Sequence, residues 1–243
     1  MMYRIEAYHR PTSVIDAVGL LASPDRLALA GGTTLRHDGG SRSTEVVDLQ
    51  ALGLDHIAPD GDLDNDIVRI DAMVTLQDLA DSDVVPDLIR AAARAELPST
   101  LRTLATVGGT IGAAGADSLL LTALLVHDTS VHFADGRSEA LPAVLATGLD
   151  AGELVVAIEA QTSGRTAVAK TGRTPNDDPI VAAAARTTDG GIRLALCGIA
   201  RTPELVEVGE LDSLDPPGDF RGSPEYRRHL ATVLSARVIE ELS

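Results

Sequence analysis

Two glycine-rich stretches carry the clearest chemical signal in this sequence. The first covers residues 29–35 (LAGGTTL) and directly follows an apolar run, and the second covers residues 105–112 (ATVGGTIG). Glycine has no Cβ, so backbone N–H groups can approach a phosphate closely, and threonine hydroxyls add further donors. Two such loops in separate lobes could hold both phosphates of a dinucleotide, whereas either loop alone could be a tight turn between packed elements.

Neither stretch matches the common nucleotide-binding motifs. No Gly-Lys-Ser/Thr sequence follows the glycines, which excludes a Walker loop. Gly109, Gly112 and Gly115 recur at intervals of three, but the Rossmann fingerprint needs G-x-G-x-x-G after the first strand. An NAD-dependent Rossmann enzyme is therefore only weakly indicated.

Other catalytic residue types do not cluster. The six histidines are scattered, no G-x-S-x-G elbow occurs, and the acidic run at residues 60–66 lacks the terminal glutamate of an EF-hand. The single cysteine, Cys197, excludes internal disulfides and any iron–sulfur cluster held by this chain alone. If the protein works in an enzyme, a bound cofactor must supply the chemistry.

Lys170 is the only lysine and ends an apolar run at residues 167–170. A cation at the pyrimidine edge of a flavin would stabilise the anionic reduced ring. An ordinary lysine at the end of a strand is the alternative interpretation.

Composition narrows the function classes further. The 243 residues carry a net charge of −16, which argues against a nucleic-acid partner. Aromatic residues make up 2% and tryptophan is absent, so base-stacking platforms have little to be built from. No uninterrupted apolar run reaches the roughly 20 residues of a membrane span, and the charged N-terminus is unlike a signal peptide. We expect a cytoplasmic protein.

Strand-like and helix-like patterns alternate along the chain and predict lobes of mixed α and β structure. Residues 1–55 predict a β-α-β-β order, with a helix beginning at Ser13 and Asp16 as its capping partner. Later in the chain, the Asp-Asp-Pro at residues 177–179 predicts the start of a helix over residues 180–186. The longest predicted helix covers residues 224–242.

Taken in order, these motifs resemble the FAD-binding (medium) subunit of molybdenum hydroxylases, the carbon monoxide dehydrogenase and xanthine dehydrogenase group. The resemblance spans essentially the whole chain. The matching segments are residues 8–14 (YHRPTSV), 30–35 (AGGTTL), 101–110 (LRTLATVGGT), 152–155 (GELV), 169–174 (AKTGRT) and 226–230 (YRRHL).

The resemblance implies an α+β fold with a two-lobed FAD-binding domain of the vanillyl-alcohol-oxidase (PCMH) type at residues 1–160. Its lobes would cover about residues 1–55 and 56–160. Residues 161–243 would form a C-terminal lobe with a small antiparallel sheet and helices, like that of the carbon monoxide dehydrogenase flavoprotein. FAD would bind noncovalently, and the implied binding residues are Leu29, Ala30, Gly31, Gly32, Thr33, Thr34, Leu35, Thr106, Gly108, Gly109, Thr110, Asp117, Val155 and Lys170.

The implied role is electron transfer without a catalytic side chain or metal site in this chain. In the family, a large partner subunit hydroxylates the substrate at a molybdopterin centre, and a small partner subunit carries two [2Fe–2S] clusters. Electrons would pass from those clusters through FAD to an external acceptor, in a dimer of heterotrimers.

Two positions depart from the family pattern. Thr110 stands where an asparagine is usual, and Leu119 stands where an acidic residue is usual, with Asp117 two residues upstream taking that role. Two alternatives stay open on the residues: a stand-alone flavin reductase of the same fold, like enolpyruvyl-glucosamine reductase, and a structural subunit without flavin.

Overall fold

The N-terminal sheet has three parallel strands, β1 (Ile5–His9), β2 (Arg26–Leu29) and β3 (Thr44–Asp48), in the order β1-β3-β2. The computed structural model describes residues 5–34, 44–59, 66–172, 174 and 177–243. Helix α1 (Val14–Leu21) joins β1 to β2, and the hydroxyl of Ser13 accepts the N–H of Asp16 at 3.1 Å. The predicted capping pair and the β-α-β-β order are therefore confirmed.

The second sheet is antiparallel and has five strands in the order β4-β5-β8-β6-β7. Six helices occur in this part of the described chain, and residues of α2, α3, α5, α6 and α7 share one hydrophobic core with the strands. Helix α6 is buried along its whole length, and all of its residues except Thr122 are apolar. The strands are β4 (Ile57–Pro59), β5 (Ile67–Asp71), β6 (Ser130–Phe133), β7 (Ser138–Ala140) and β8 (Val155–Gln161). The helices are α2 (Leu76–Asp81), α3 (Asp87–Glu96), α4 (Ser99–Arg102), α5 (Val107–Ala113), α6 (Leu119–Val126) and α7 (Leu141–Thr147).

The third sheet is antiparallel, with four strands in the order β12-β11-β10-β9. Helix α8 (Pro224–Leu242) packs against β9 and β10, and α6 of the preceding lobe packs against β10 and β11. The bounds of α8 match the prediction for residues 224–242. The strands are β9 (Thr166–Thr171), β10 (Val181–Thr188), β11 (Gly191–Cys197) and β12 (Glu204–Leu205), and a short 3₁₀ helix, Val208–Ser213, precedes α8.

The helix predicted over residues 180–186 is wrong, because this segment forms the central strand β10. Residues 181–186 are all buried, and β10 pairs with β9 on one side and β11 on the other. Four consecutive alanines favour a helix in isolation. Here their small side chains fit between α8 and α6, and strand pairing with burial on both faces outweighs the intrinsic preference.

None of the helices in the described ranges is long and apolar enough to cross a membrane.

Candidate cofactor-binding cleft

A cavity of about 680 Å³ opens where the three sheets meet, within the size range of small-molecule sites. Its walls come from β2 and the loop after it, from α5 and the linker to α6, from the segment before β8, and from residues 178–179 between β9 and β10. Most of the predicted binding residues line it: Ala30, Gly31, Gly32, Thr33, Thr34, Thr106, Gly108, Gly109, Thr110, Asp117 and Val155.

Two of the predicted residues that the structure describes, Leu29 and Lys170, do not contribute to this lining. Leu29 ends β2, and its side chain lies against Gly32, where an added Cβ would be 3.3 Å from Leu29 Cδ1. Lys170 is half-buried on β9, opposite Ala182 of β10. Leu35 falls outside the described residues. Their roles at the cofactor stay predictions.

The first glycine loop, residues 30–34, leaves β2 and passes close to the backbone after α4. A Cβ on Gly31 would lie 1.8 Å from the carbonyl oxygen of Leu104, so only glycine allows this approach. Gly32 has φ = +68°, in the left-handed region that glycine adopts without strain. In the described part of the chain, no acceptor pairs with the N–H groups of Gly31, Gly32, Thr33 or Thr34. This loop therefore offers four backbone donors.

The second glycine stretch is the beginning of α5 rather than the open loop that its sequence suggested. The Thr106 hydroxyl caps the helix by accepting the N–H of Gly109 at 3.1 Å. The N–H of Gly108 donates to the carbonyl of Ala72 at 2.8 Å, and the N–H of Thr110 donates to the carbonyl of Thr106 at 2.9 Å. The Thr110 hydroxyl also donates to the Thr106 carbonyl. These donors are thus already paired inside the protein.

Glycine at position 108 serves close packing. A Cβ there would lie 2.9 Å from both the Cβ and the carbonyl oxygen of Ala72. The two glycine stretches also touch, since a Cβ on Gly109 would lie 3.8 Å from Ala30 Cβ. Both therefore face one crevice, as the sequence interpretation requires.

The wall before β8 is fixed by an ion-pair cluster. Arg137 pairs with Glu153, Glu139 and Asp135, and its guanidinium stacks over the Phe133 ring at 4.3 Å. The Asp150 N–H donates to Glu153 at 2.8 Å and, with Arg137, holds the pKa of that carboxyl below its ordinary value. Glu153 therefore lines the cleft as an ionised carboxylate that shares one guanidinium with Glu139 and Asp135.

Two other carboxyls on the cleft wall are also compensated. Asp117 Oδ2 lies 2.8 Å from Arg221 Nη1. Burial raises the pKa of Glu96 to about 7, although hydrogen bonds from the Ser118 side chain and the Leu120 N–H favour its ionised form. The Leu120 N–H donates to Glu96 Oε2 at 2.9 Å, at the beginning of α6.

Sequence reasoning missed Glu96, Arg221 and Asp178. Glu96 ends α3 just before Leu97-Pro98, which marks the helix end but gives no sign of the cleft. Arg221 and Asp117 are 104 positions apart, and only the packing of the lobes brings them together.

The chain is similar in sequence to a family of FAD-binding domains and to two proteins of Escherichia coli. Residues 2–159 match the family model described as the FAD-binding domain in molybdopterin dehydrogenase. The uncharacterized protein YgfM of Escherichia coli K12 is 31% identical over 96% of this chain and 94% of its own length. The xanthine dehydrogenase FAD-binding subunit of Escherichia coli O157:H7 is 28% identical over 99% of this chain and 97% of its own length.

A chain of reconstituted CO dehydrogenase from Oligotropha carboxidovorans has the same fold. Its TM-score is 0.86 at 26% identity, and the match covers 100% of this chain and 99% of that chain. The predicted α+β fold, with an antiparallel sheet and helices in the C-terminal part, is therefore confirmed.

Proposed function

Because the chain belongs to the FAD-binding family of molybdopterin dehydrogenases, we propose that it is the electron-transfer subunit of a heteromeric molybdenum hydroxylase. It would receive electrons from [2Fe–2S] clusters on a small partner subunit and pass them through FAD to an external acceptor. A large molybdopterin subunit would complete a cytoplasmic assembly, a dimer of heterotrimers. The observation that carries the proposal is the set of four N–H donors at residues 31–34, which line the cleft and have no acceptor among the residues that the structure describes.

The described residues fit a dinucleotide cofactor. Oriented backbone N–H groups bind a diphosphate without needing a cationic side chain. Of the carboxyls on the walls, Glu153 and Asp117 are each paired with an arginine, and burial raises the pKa of Glu96 to about 7. Asp150 and Asp178 also line the cleft, so the diphosphate would be held by the backbone N–H groups and not by the charge of the walls. The cavity also has room for a ligand of drug size or larger.

We assign the diphosphate to the first loop, residues 30–35, backed by Thr106 and residues 108–110. Leu29, Asp117, Val155 and Lys170 would lie near the remainder of FAD. This assignment retains each residue that the sequence predicted. It gives Gly108 and Gly109 a supporting role, because their N–H groups are already used within the protein.

Bound FAD would supply the one-electron and two-electron redox chemistry that amino-acid side chains lack. The task of this chain is to bind and orient it. Cys197 does not add a thiolate, because burial raises its pKa to about 12. A [2Fe–2S] cluster needs four ligands, so we place the clusters on the small partner subunit.

Two experiments test the proposal. The purified full chain, titrated with FAD, should bind one equivalent, observed as a change in flavin fluorescence. A tagged chain, coexpressed with the small iron–sulfur and large pterin-binding subunits of the same genome, should copurify with both and with flavin, iron and molybdenum. A folded chain that binds no FAD would contradict the cofactor, and a flavin-loaded chain that never associates with such partners would contradict the assembly.

A further inference from the structure

Arg221 joins two walls of the cleft that belong to different lobes. Its Nη1 lies 2.8 Å from Oδ2 of Asp117, on the linker between α5 and α6. Its Nη2 donates to the carbonyls of Asp178 at 2.5 Å and Pro179 at 2.7 Å, on the segment between β9 and β10. Asp117, Asp178 and Pro179 all line the cavity, and among the described residues after β8 only Asp178 and Pro179 do so.

A hydrogen-bonded turn at residues 219–222 holds Arg221 in place. The Oδ1 atom of Asp219 accepts the N–H groups of Arg221 at 2.8 Å and Gly222 at 3.1 Å. Arg227 of α8 reaches the same Oδ1 at 2.8 Å, and this contact holds the pKa of Asp219 below its ordinary value. The carboxylate therefore stays ionised, and the turn is anchored to the long C-terminal helix.

Helix α8 also connects this turn to the segment between β9 and β10 and, through Gly198, to the linker between α5 and α6. Nη1 of Arg227, a buried side chain, donates to the carbonyls of Ile180 at 2.8 Å and Gly198 at 2.7 Å. The N–H of Gly198 donates in turn to the Ala116 carbonyl at 2.8 Å, next to Asp117. Arg221 thus completes a closed network that runs from the second lobe through the third lobe and back.

We infer that Arg221 is a positioning residue for the cofactor cleft, which fixes the segment at residues 178–179 against Asp117 so that the third lobe provides a stationary wall. The inference rests on the proposed function, since it concerns the same cleft. Without Arg221, the wall would lose three charge-assisted hydrogen bonds and Asp117 would face the cleft as an uncompensated charge. Both effects weaken the binding of a dianionic diphosphate.

The test compares FAD affinity and FAD dissociation rate in four variants of the full chain. Arg221→Ala should weaken FAD binding by about tenfold or more, mainly through faster dissociation. Arg221→Lys should give a smaller loss, because an ammonium cannot span the carboxylate and both carbonyls as a guanidinium does. Asp117→Asn should also weaken binding, and the double variant Arg221→Ala/Asp117→Asn should be no worse than Arg221→Ala alone.

The matched control is Arg165→Ala. Arg165 also bonds two backbone carbonyls of the third lobe, those of Glu241 and Leu242, but it lies away from the cleft. Its loss should lower thermal stability and leave FAD affinity within about twofold of the parent chain.

Two results would overturn the inference: wild-type FAD affinity in Arg221→Ala, or losses in Arg221→Ala and Asp117→Asn that add in the double variant. If Arg221→Ala fails to fold, Arg221→Lys and Asp117→Asn decide the question by the same criteria. Failure of the parent chain itself to bind FAD would instead contradict the proposed function.

Discussion

The two Gly-Gly-Thr stretches share a sequence and one crevice, but the fold uses them differently. Residues 31–34 follow a parallel strand and keep their N–H groups without acceptors in the described chain. Residues 108–110 begin α5, where Ala72 and Thr106 accept the corresponding N–H groups. The first loop is therefore suited to binding an anion, and the second is suited to holding that loop in place.

The residues within the second stretch explain why it forms a helix. A threonine cap at position 106 and apolar residues at positions 107 and 111 favour a helix there. The first N–H groups of a helix need acceptors outside the helix. Here the Thr106 hydroxyl accepts that of Gly109, and the Ala72 carbonyl accepts that of Gly108. A glycine repeat alone therefore does not predict a phosphate-binding loop. Its N–H groups must also be left without acceptors inside the protein.

The largest expected effect is that of Gly31→Ala. The new Cβ would overlap the Leu104 carbonyl, so the two stretches would have to separate. Such overpacking costs about 3 kcal/mol. If the free energy of FAD binding falls by the same amount, FAD affinity falls roughly a hundredfold. Fluorescence titration and urea denaturation measure both quantities. Gly19→Ala on α1, where no atom lies within 4 Å of the new Cβ, is the control and should leave FAD affinity unchanged. Parent-like affinity in Gly31→Ala would contradict the role of the first loop.

The second prediction concerns the charge of Glu96, on the cleft wall beside the beginning of α6. Glu96 has a pKa of about 7 when folded against an ordinary value of 4.5. Between these two pKa values the folded state holds a proton that the unfolded state releases. The free energy of unfolding is therefore highest below pH 4.5 and falls as the pH rises towards 7. Glu96→Gln should remove this loss, which is at most roughly 3 kcal/mol.

Urea denaturation from pH 4.5 to 8 measures the difference between the parent chain and Glu96→Gln. The free energy of unfolding of the parent should fall relative to the variant over this range. Parallel curves would show that Glu96 ionises normally in the folded protein, and the electrostatic description of the cleft would then need revision.

The third prediction separates packing from binding in the second stretch. Gly108→Ala places a Cβ 2.9 Å from Ala72 and should lower the free energy of unfolding by about 2 kcal/mol. FAD affinity of the folded variant should stay within about threefold of the parent. If binding falls far more than stability, the second stretch contacts the cofactor as directly as the first does.

Much of the local structure could be predicted from the sequence, because capping residues act over a few positions. Ser13 with Asp16 begins α1 as the sequence predicts, and Thr75 with Asp78 begins α2 by the same kind of contact. Residues 181–186 could not be assigned correctly, because the burial of β10 on both faces depends on elements distant in the chain. Cooperative packing outweighs local propensity there.

For the cleft, the sequence predicted segments that line it but not how its charged groups are paired. The two glycine stretches line one crevice, as their shared pattern predicts, because close backbone approach needs residues without a Cβ. The compensation of Asp117 by Arg221, and the burial of Glu96, depend on how the lobes pack, and no spacing along the chain encodes them.

Amide NMR spectra of the ¹⁵N-labelled chain, recorded during titration with FAD, test the central claim most directly. We predict large downfield shifts for the amides of Gly31, Gly32, Thr33 and Thr34, with new protection from hydrogen exchange. The amides of Gly108 and Gly109 should be protected before FAD is added and should shift little. Saturating FAD that leaves the first-loop amides unchanged, or shifts only those of Gly108 and Gly109, would contradict the account.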